Sequence, residues 1–222
     1  MRTFSSPLPI DDVLPLCRDR LQNHNALVIV APPGAGKTTR VPLALLEEPW
    51  CKTGKILVLE PRRLAARGAA KHMADILGEA VGDTVGYRVR LGSKISTKTR
   101  IEVITEGIFT RMILDQPALD DVAAVIFDEF HERSLDADLG LALALESQHA
   151  FRPDLRLIAM SATLDGARVA ALMGQCPVIE SEGRSYSIDT RYRPRDPAQR
   201  LEDAIPTLVS DVLAQEAGSV LI

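Results

Sequence analysis

The chain has 222 residues, 46% hydrophobic and 25% charged, with a formal net charge of −4. That length suits one α/β domain together with the start of another, and the acidic balance excludes a generally basic nucleic-acid coat while leaving room for a local basic groove. Three cysteines, Cys17, Cys51 and Cys176, lack metal-ligand spacing and cannot all pair, so reduced thiols and a cytoplasmic setting are expected.

The N-terminus, MRTFSSPLPIDDVLPLC, has neither the apolar core nor the cleavage site of a signal peptide. No apolar run reaches the roughly 18 residues that cross a bilayer, so no membrane partner is expected. Asp11 and Asp12 can cap a helix running to about Gln22. A strand follows at 26–31, ALVIVA, and then a phosphate-loop pattern whose positions 31–38 read A-P-P-G-A-G-K-T, with alanine in place of the first glycine. Ala31 only leaves the strand, which makes that glycine the least constrained of the pattern. Pro33, Gly34, Ala35 and Gly36 form the cradle, and the two glycines let the backbone curl so that N–H groups converge on phosphate oxygens. Lys37 would reach the β- and γ-phosphates, Thr38 would ligate Mg²⁺, and Thr39 would assist near the α-phosphate of ATP. A helix is expected at 38–47, with Pro42 kinking its first turns.

The pattern then alternates. Short apolar strands are expected at 55–60, 100–105, 123–128 and 156–162, and helices at 64–77, 107–115 and 136–145. Nearly continuous apolar strands between helices imply βαβ crossovers and a doubly wound, mostly parallel sheet covered on both faces. Ligands of such sheets bind beyond the carboxyl ends of the strands. The polar clusters of this sequence all sit there. Asp128 and Glu129 end one apolar strand; with Thr38 they are the Mg²⁺ candidates, and Glu129 would polarise the water that attacks the γ-phosphate. His131 follows two residues later, placed to sense that phosphate or to couple to other segments, while Glu132 and Arg133 are candidates for a local ion pair. Ser161 and Thr163 end the next strand with two hydroxyls.

Taken in order, APPGAGKTT (31–39), EPRRLAAR (60–67), TEGIFTRMI (105–113), DEFH (128–131) and SAT (161–163) resemble motifs I, Ia, Ib, II and III of superfamily 2 helicases, and within them the DEAH/RHA branch. The likeness covers about residues 8–222 and departs from the strict tetrapeptide only at Phe130. It implies a RecA-like P-loop fold and an ATP- and Mg²⁺-dependent motor that moves on single-stranded RNA and unwinds duplexes. It also implies that Lys37, Asp128, Glu129 and His131 are catalytic and that Ser161 and Thr163 couple the two sites. Arg62, Arg63, Thr105 and Gly107 would grip the sugar-phosphate backbone, with Arg88, Arg90 and Arg111 extending the track. At the position where relatives use an arginine to hold the adenine, this chain has His72, which stacks more weakly and implies loose nucleotide selectivity.

Downstream, the basic, proline-bearing stretch 184–197 is expected as an extended linker after a first RecA-like domain at 1–183. Helical pattern returns at 198–216, and SVLI suggests the first half of a strand, so 198–222 is expected to begin a second, truncated RecA-like domain. The arginine fingers that such a domain contributes would lie beyond Ile222, and little activity is expected of the 222 residues alone. Two other readings remain open: a superfamily 2 DNA translocase, and a non-catalytic nucleotide-dependent RNA-binding module.

Overall fold

Ala26–Val30 forms strand β1, buried at every position. It occupies an interior place in the sheet because no residue on either of its faces asks for water. The computed structural model describes residues 4, 6–163, 166–183, 188–194 and 198–221. By contacts the chain divides into two units, Met1–Arg184 and Ser185–Ile222.

Upstream of β1, helix α1 spans Leu14–Asn23. The aspartates do not cap it. They belong to a preceding 3-10 turn, Pro9–Asp12, in which the Asp11 carboxylate accepts a 2.8 Å bond from the Leu8 N–H. Helix α2, Lys37–Leu45, starts directly at the loop lysine and contains Pro42 without a break in the helix. Then come β2 (Lys55–Glu60), α3 (Arg63–Leu77), and a hairpin of β3 (Val85–Val89) and β4 (Gly92–Lys94). The hairpin turns at Leu91, whose φ of 66° is left-handed. Beyond it lie β5 (Ile101–Thr105), α4 (Glu106–Asp115), β6 (Val122–Phe127), α5 (Leu135–Ala150), β7 (Arg156–Ser161), α6 (Gly166–Leu172) and β8 (Val178–Glu180). Helix α5 begins where the Ser134 hydroxyl accepts from the Ala137 N–H at 2.8 Å, an N-cap that places its start before the expected Asp136.

These strands make one eight-stranded sheet in the order β4-β3-β5-β2-β6-β7-β1-β8. Every pairing is parallel except β3 with β4. Because successive side chains alternate across a strand, each strand feeds two cores. Leu27, Ile29, Ile56, Val58, Ile126 and Ile158 pack with α1, α2 and α3 on one face. Val28, Leu57, Leu59, Val125, Phe127 and Leu157 pack with α4, α5 and α6 on the other. Each such side chain, once buried, contributes about 1.5–3 kcal/mol, so the sheet holds its register strongly. The functional consequence is geometric: in the register Val30 lies opposite Ser161, Glu60 opposite Thr105, and Phe127 opposite both Leu59 and Ala159. Five segments distant in sequence are thereby brought to one edge.

The second unit contains helix α7, Leu201–Gln215, which has no buried residue. Within this unit Arg191 pairs with Asp189 and Glu216, and Arg193 with Asp211. Val220 and Leu221 are not in a strand; a strand exists only when another pairs with its backbone, and among the described residues of this unit there is none. The expected linker 184–197 falls partly outside the described residues, at 184–187 and 195–197.

Candidate active site and adjoining groove

The loop between β1 and α2 curls at Gly34 (φ 76°) and Gly36 (φ 96°), two left-handed positions that an L side chain rarely adopts. Ala31 has no such requirement. It is fully buried, donates its N–H to Ser161 at 3.0 Å, and is absent from the left-handed set, which explains why alanine replaces glycine there. Lys37 turns back and donates to the Ala31 carbonyl at 2.9 Å. The first N–H groups of α2 have no intrahelical acceptor and carry the positive end of its dipole, which suits them to an anion.

Opposite the loop, the Thr38 hydroxyl donates to Asp128 Oδ2, and the Glu129 N–H donates to Asp128 Oδ1 at 2.9 Å. Glu129 lies 3.9 Å from Lys37 Nζ and 3.4 Å from His131 Nδ1. The Ala162 N–H donates to that same Nδ1 at 3.2 Å, so the ring proton belongs on Nε2 and the histidine is tied to the loop after β7. In that loop the Ser161 hydroxyl bonds to Thr163.

A further acid, Glu60, ends β2 beside this group and was not singled out by its sequence position. Burial and the neighbouring Asp128 carboxylate push its pKa up to about 9. Burial likewise raises Asp128. Two carboxyls so close and so dry share a proton rather than both ionising. The signal for Glu60 lies in KILVLE, where an acid closes a run of four apolar residues.

A cavity of about 540 Å³ opens over these residues. Its lining includes Pro33, Thr38, Thr39, Glu60, Glu129 and His131, and it extends along α3 past Ala65, Gly68 and Ala69 to His72. The lining thus combines polar groups from the strand ends with the small side chains of α3 and the imidazole of His72. A divalent cation suits the place where the Thr38 hydroxyl and Asp128 carboxylate meet. No group of three His, Cys, Asp or Glu that could hold a metal ion gathers among the described residues.

A second cavity, of about 480 Å³, is lined by Arg63, Arg90, Thr105, Gly107 and Arg111 together with Glu106 and Asp136. It joins most of the expected backbone-gripping residues. Arg88 does not line it: its guanidinium donates to Glu102 at 2.6 Å, answering a carboxylate that strand β5 carries almost fully into the interior. Arg62 is turned the other way, to Glu132, and lines the first cavity. Glu132 and Arg133 do not pair with each other; Arg133 bonds Asp138 at 2.9 Å.

A doubly wound parallel sheet with a phosphate loop after one strand and an Asp-Glu pair after another defines a RecA-like domain of the helicase class. The chain belongs to the DEAD/DEAH box helicase family, whose model matches residues 14–172. It is 49% identical, over 98% of its length, to the ATP-dependent RNA helicase HrpB of Escherichia coli, and 35% identical, over 99%, to the ATP-dependent RNA helicase HrpA homolog of Haemophilus influenzae. The chain spans 27% and 17% of those two proteins. Among solved structures, a crystal structure of the E. coli DEAH/RHA helicase HrpB superposes with a TM-score of 0.88, covering 96% of this chain and 27% of that one. A second, described as the E. coli DExH-box NTPase HrpB, superposes at 0.79 with 48% identity, covering 98% of this chain and 27% of that one.

Proposed function

We propose that this chain is the first RecA-like domain of an ATP-dependent helicase that moves on single-stranded RNA. The observation that carries the reading is the meeting of Lys37, Thr38, Asp128 and Glu129, drawn from two distant loops, beside a cavity that Thr38 and Glu129 line. In this reading Lys37 leaves the Ala31 carbonyl for the β- and γ-phosphates. Glu129 takes a proton from the attacking water as the bond from the γ-phosphorus to the bridging oxygen breaks, giving ADP and inorganic phosphate. Thr38 and Asp128 would hold Mg²⁺. When bound, that ion neutralises charge gathering on the phosphate oxygens. The α3 face ending at His72 would take the base, and the groove of Arg63, Arg90 and Arg111 would take the RNA backbone. The segment 184–197 acts as the linker and 198–222 opens the second RecA-like domain, in a protein of the cytoplasm.

The test is nucleotide turnover by the full-length protein with and without single-stranded RNA, beside Glu129→Gln. We expect RNA-stimulated turnover in the parent and a loss of about 10²–10⁴-fold in the variant, with ATP still bound. GTP and CTP should be turned over comparably; a strong preference for ATP would remove His72 from the base site. Stimulation by DNA alone would make the protein a DNA translocase, and binding without turnover would make it a nucleotide-dependent binding module.

A further inference from the structure

The turn that follows the Asp-Glu pair is built unlike an ordinary surface loop. It is a single 3-10 turn, Phe130–Glu132, flanked by two non-glycine residues in the left-handed region, Glu129 at φ 49° and Arg133 at φ 50°. L side chains rarely adopt that region, so the turn persists only because its side chains are held. Phe130 is buried, edge-on to Phe127 with ring centres 6.2 Å apart. His131 accepts from Ala162 and sits beside Glu129. Glu132 pairs with Arg62, whose side chain is 69% exposed and which opens the segment leading into α3. Immediately beyond the turn, the Ser134 hydroxyl donates to Glu106, which lines the second cavity. One short turn therefore touches the proposed general base at its start and both proposed RNA-gripping segments at its end.

We infer that Glu132 is a positioning residue that holds Arg62 in the absence of RNA, and that an RNA phosphate exchanges with it for the guanidinium. The inference rests on the reading of this domain as an RNA-stimulated ATPase. A carboxylate and a phosphate oxygen are alternative acceptors for the same planar donor, and both cannot be served in one geometry. An ion pair this exposed is weak enough for a phosphate to displace. While it stands, it pins the far end of the turn. Its exchange frees Glu132, and the strain at Glu129 and Arg133 can relax, moving the Glu129 carboxylate relative to the phosphate loop. RNA occupancy is thus reported to the hydrolytic residue through five consecutive residues, with no change required in the sheet.

The experiment compares the full-length protein with Glu132→Gln and Glu132→Asp, measuring oligoribonucleotide binding by fluorescence anisotropy without nucleotide, and turnover across RNA concentrations. For Glu132→Gln we expect binding about two- to five-fold tighter, the scale of an exposed ion pair. Turnover without RNA should rise by a similar factor while the RNA-saturated kcat and the KM for ATP stay put, so that the stimulation ratio falls. Glu132→Asp, which keeps the charge on a shorter arm, should lie between. A parent that RNA does not stimulate would remove the functional reading and this inference with it. A stimulated parent whose Glu132→Gln variant matches it in RNA affinity and stimulation ratio would overturn the inference alone, as would a variant that loses ATP affinity, which would place Glu132 in the nucleotide site. Thermal melts of all three proteins establish that the variants fold.

Discussion

Glu60 illustrates how a single side chain can conflict with its surroundings. In the unfolded chain a glutamate ionises near pH 4.3, whereas in the folded protein burial and Asp128 keep Glu60 protonated up to about pH 9. Between those values the unfolded state has lost a proton that the native state retains. Stability is therefore full below the unfolded pKa and falls as pH rises toward 9, by at most about 1.4 kcal/mol per pH unit. Glu60→Gln removes the ionisation but keeps the shape. In nucleotide-free protein with a chelator present, its melting temperature should exceed the parent's by a margin that widens from pH 5 to pH 8. A margin that stays constant over that range would mean that Glu60 is ionised in the fold. The cysteines are simpler: Cys17 is buried, with its thiol pushed up to about 12, and reads as core packing.

At the scale of elements, the phosphate loop distinguishes two kinds of glycine. Gly36 is left-handed, and a Cβ there would lie 2.6 Å from Leu8 Cδ1 and 3.2 Å from Ile10 Cγ2. Leu8 and Ile10 belong to the segment that crosses the outside of the loop, where the Ile10 N–H also donates to the Ala35 carbonyl at 3.1 Å. Gly36→Ala should therefore combine about 1–2 kcal/mol of backbone strain with displacement of that brace, weakening nucleotide binding by about tenfold or more. Ala31→Gly, which restores the usual pattern, should leave binding within about twofold, because nothing at that position asks for a left-handed backbone. Calorimetric titration with a non-hydrolysable ATP analogue checks both; a gain of tenfold in Ala31→Gly would show that the alanine is a real defect.

Across the whole chain, the net charge of −4 and the proposed grip on RNA are reconciled by locality. Arg63, Arg90 and Arg111 converge on one cavity, while other arginines are spent on carboxylates, as Arg88 is on Glu102. Each phosphate contact on a single strand contributes about 0.7 to the slope of log K against log salt. Arg63→Gln should flatten that slope by about this amount and weaken binding alike for all sequences. Arg88→Gln should instead leave the slope unchanged and lower the melting temperature, since it strands a buried carboxylate. Equal slopes for Arg63→Gln and the parent would take Arg63 off the RNA track.

The repeating strand-helix pattern, the phosphate loop, the acid pair and the order of the five motifs are legible in the amino-acid order alone, because each depends on periodicity or on residues within a few positions of one another. The sequence pattern carried the main strands to within a residue of their ends. It missed the β3–β4 hairpin, whose short, charged strands exist only through pairing with each other and with β5. It took the folded sheet to settle which arginines line the groove, that Glu60 lies beside Asp128, and that Glu132 reaches Arg62 across 70 positions of chain. These are matters of which charge lies nearest which in three dimensions. The sheet order sets those distances, and no local pattern in the chain encodes them.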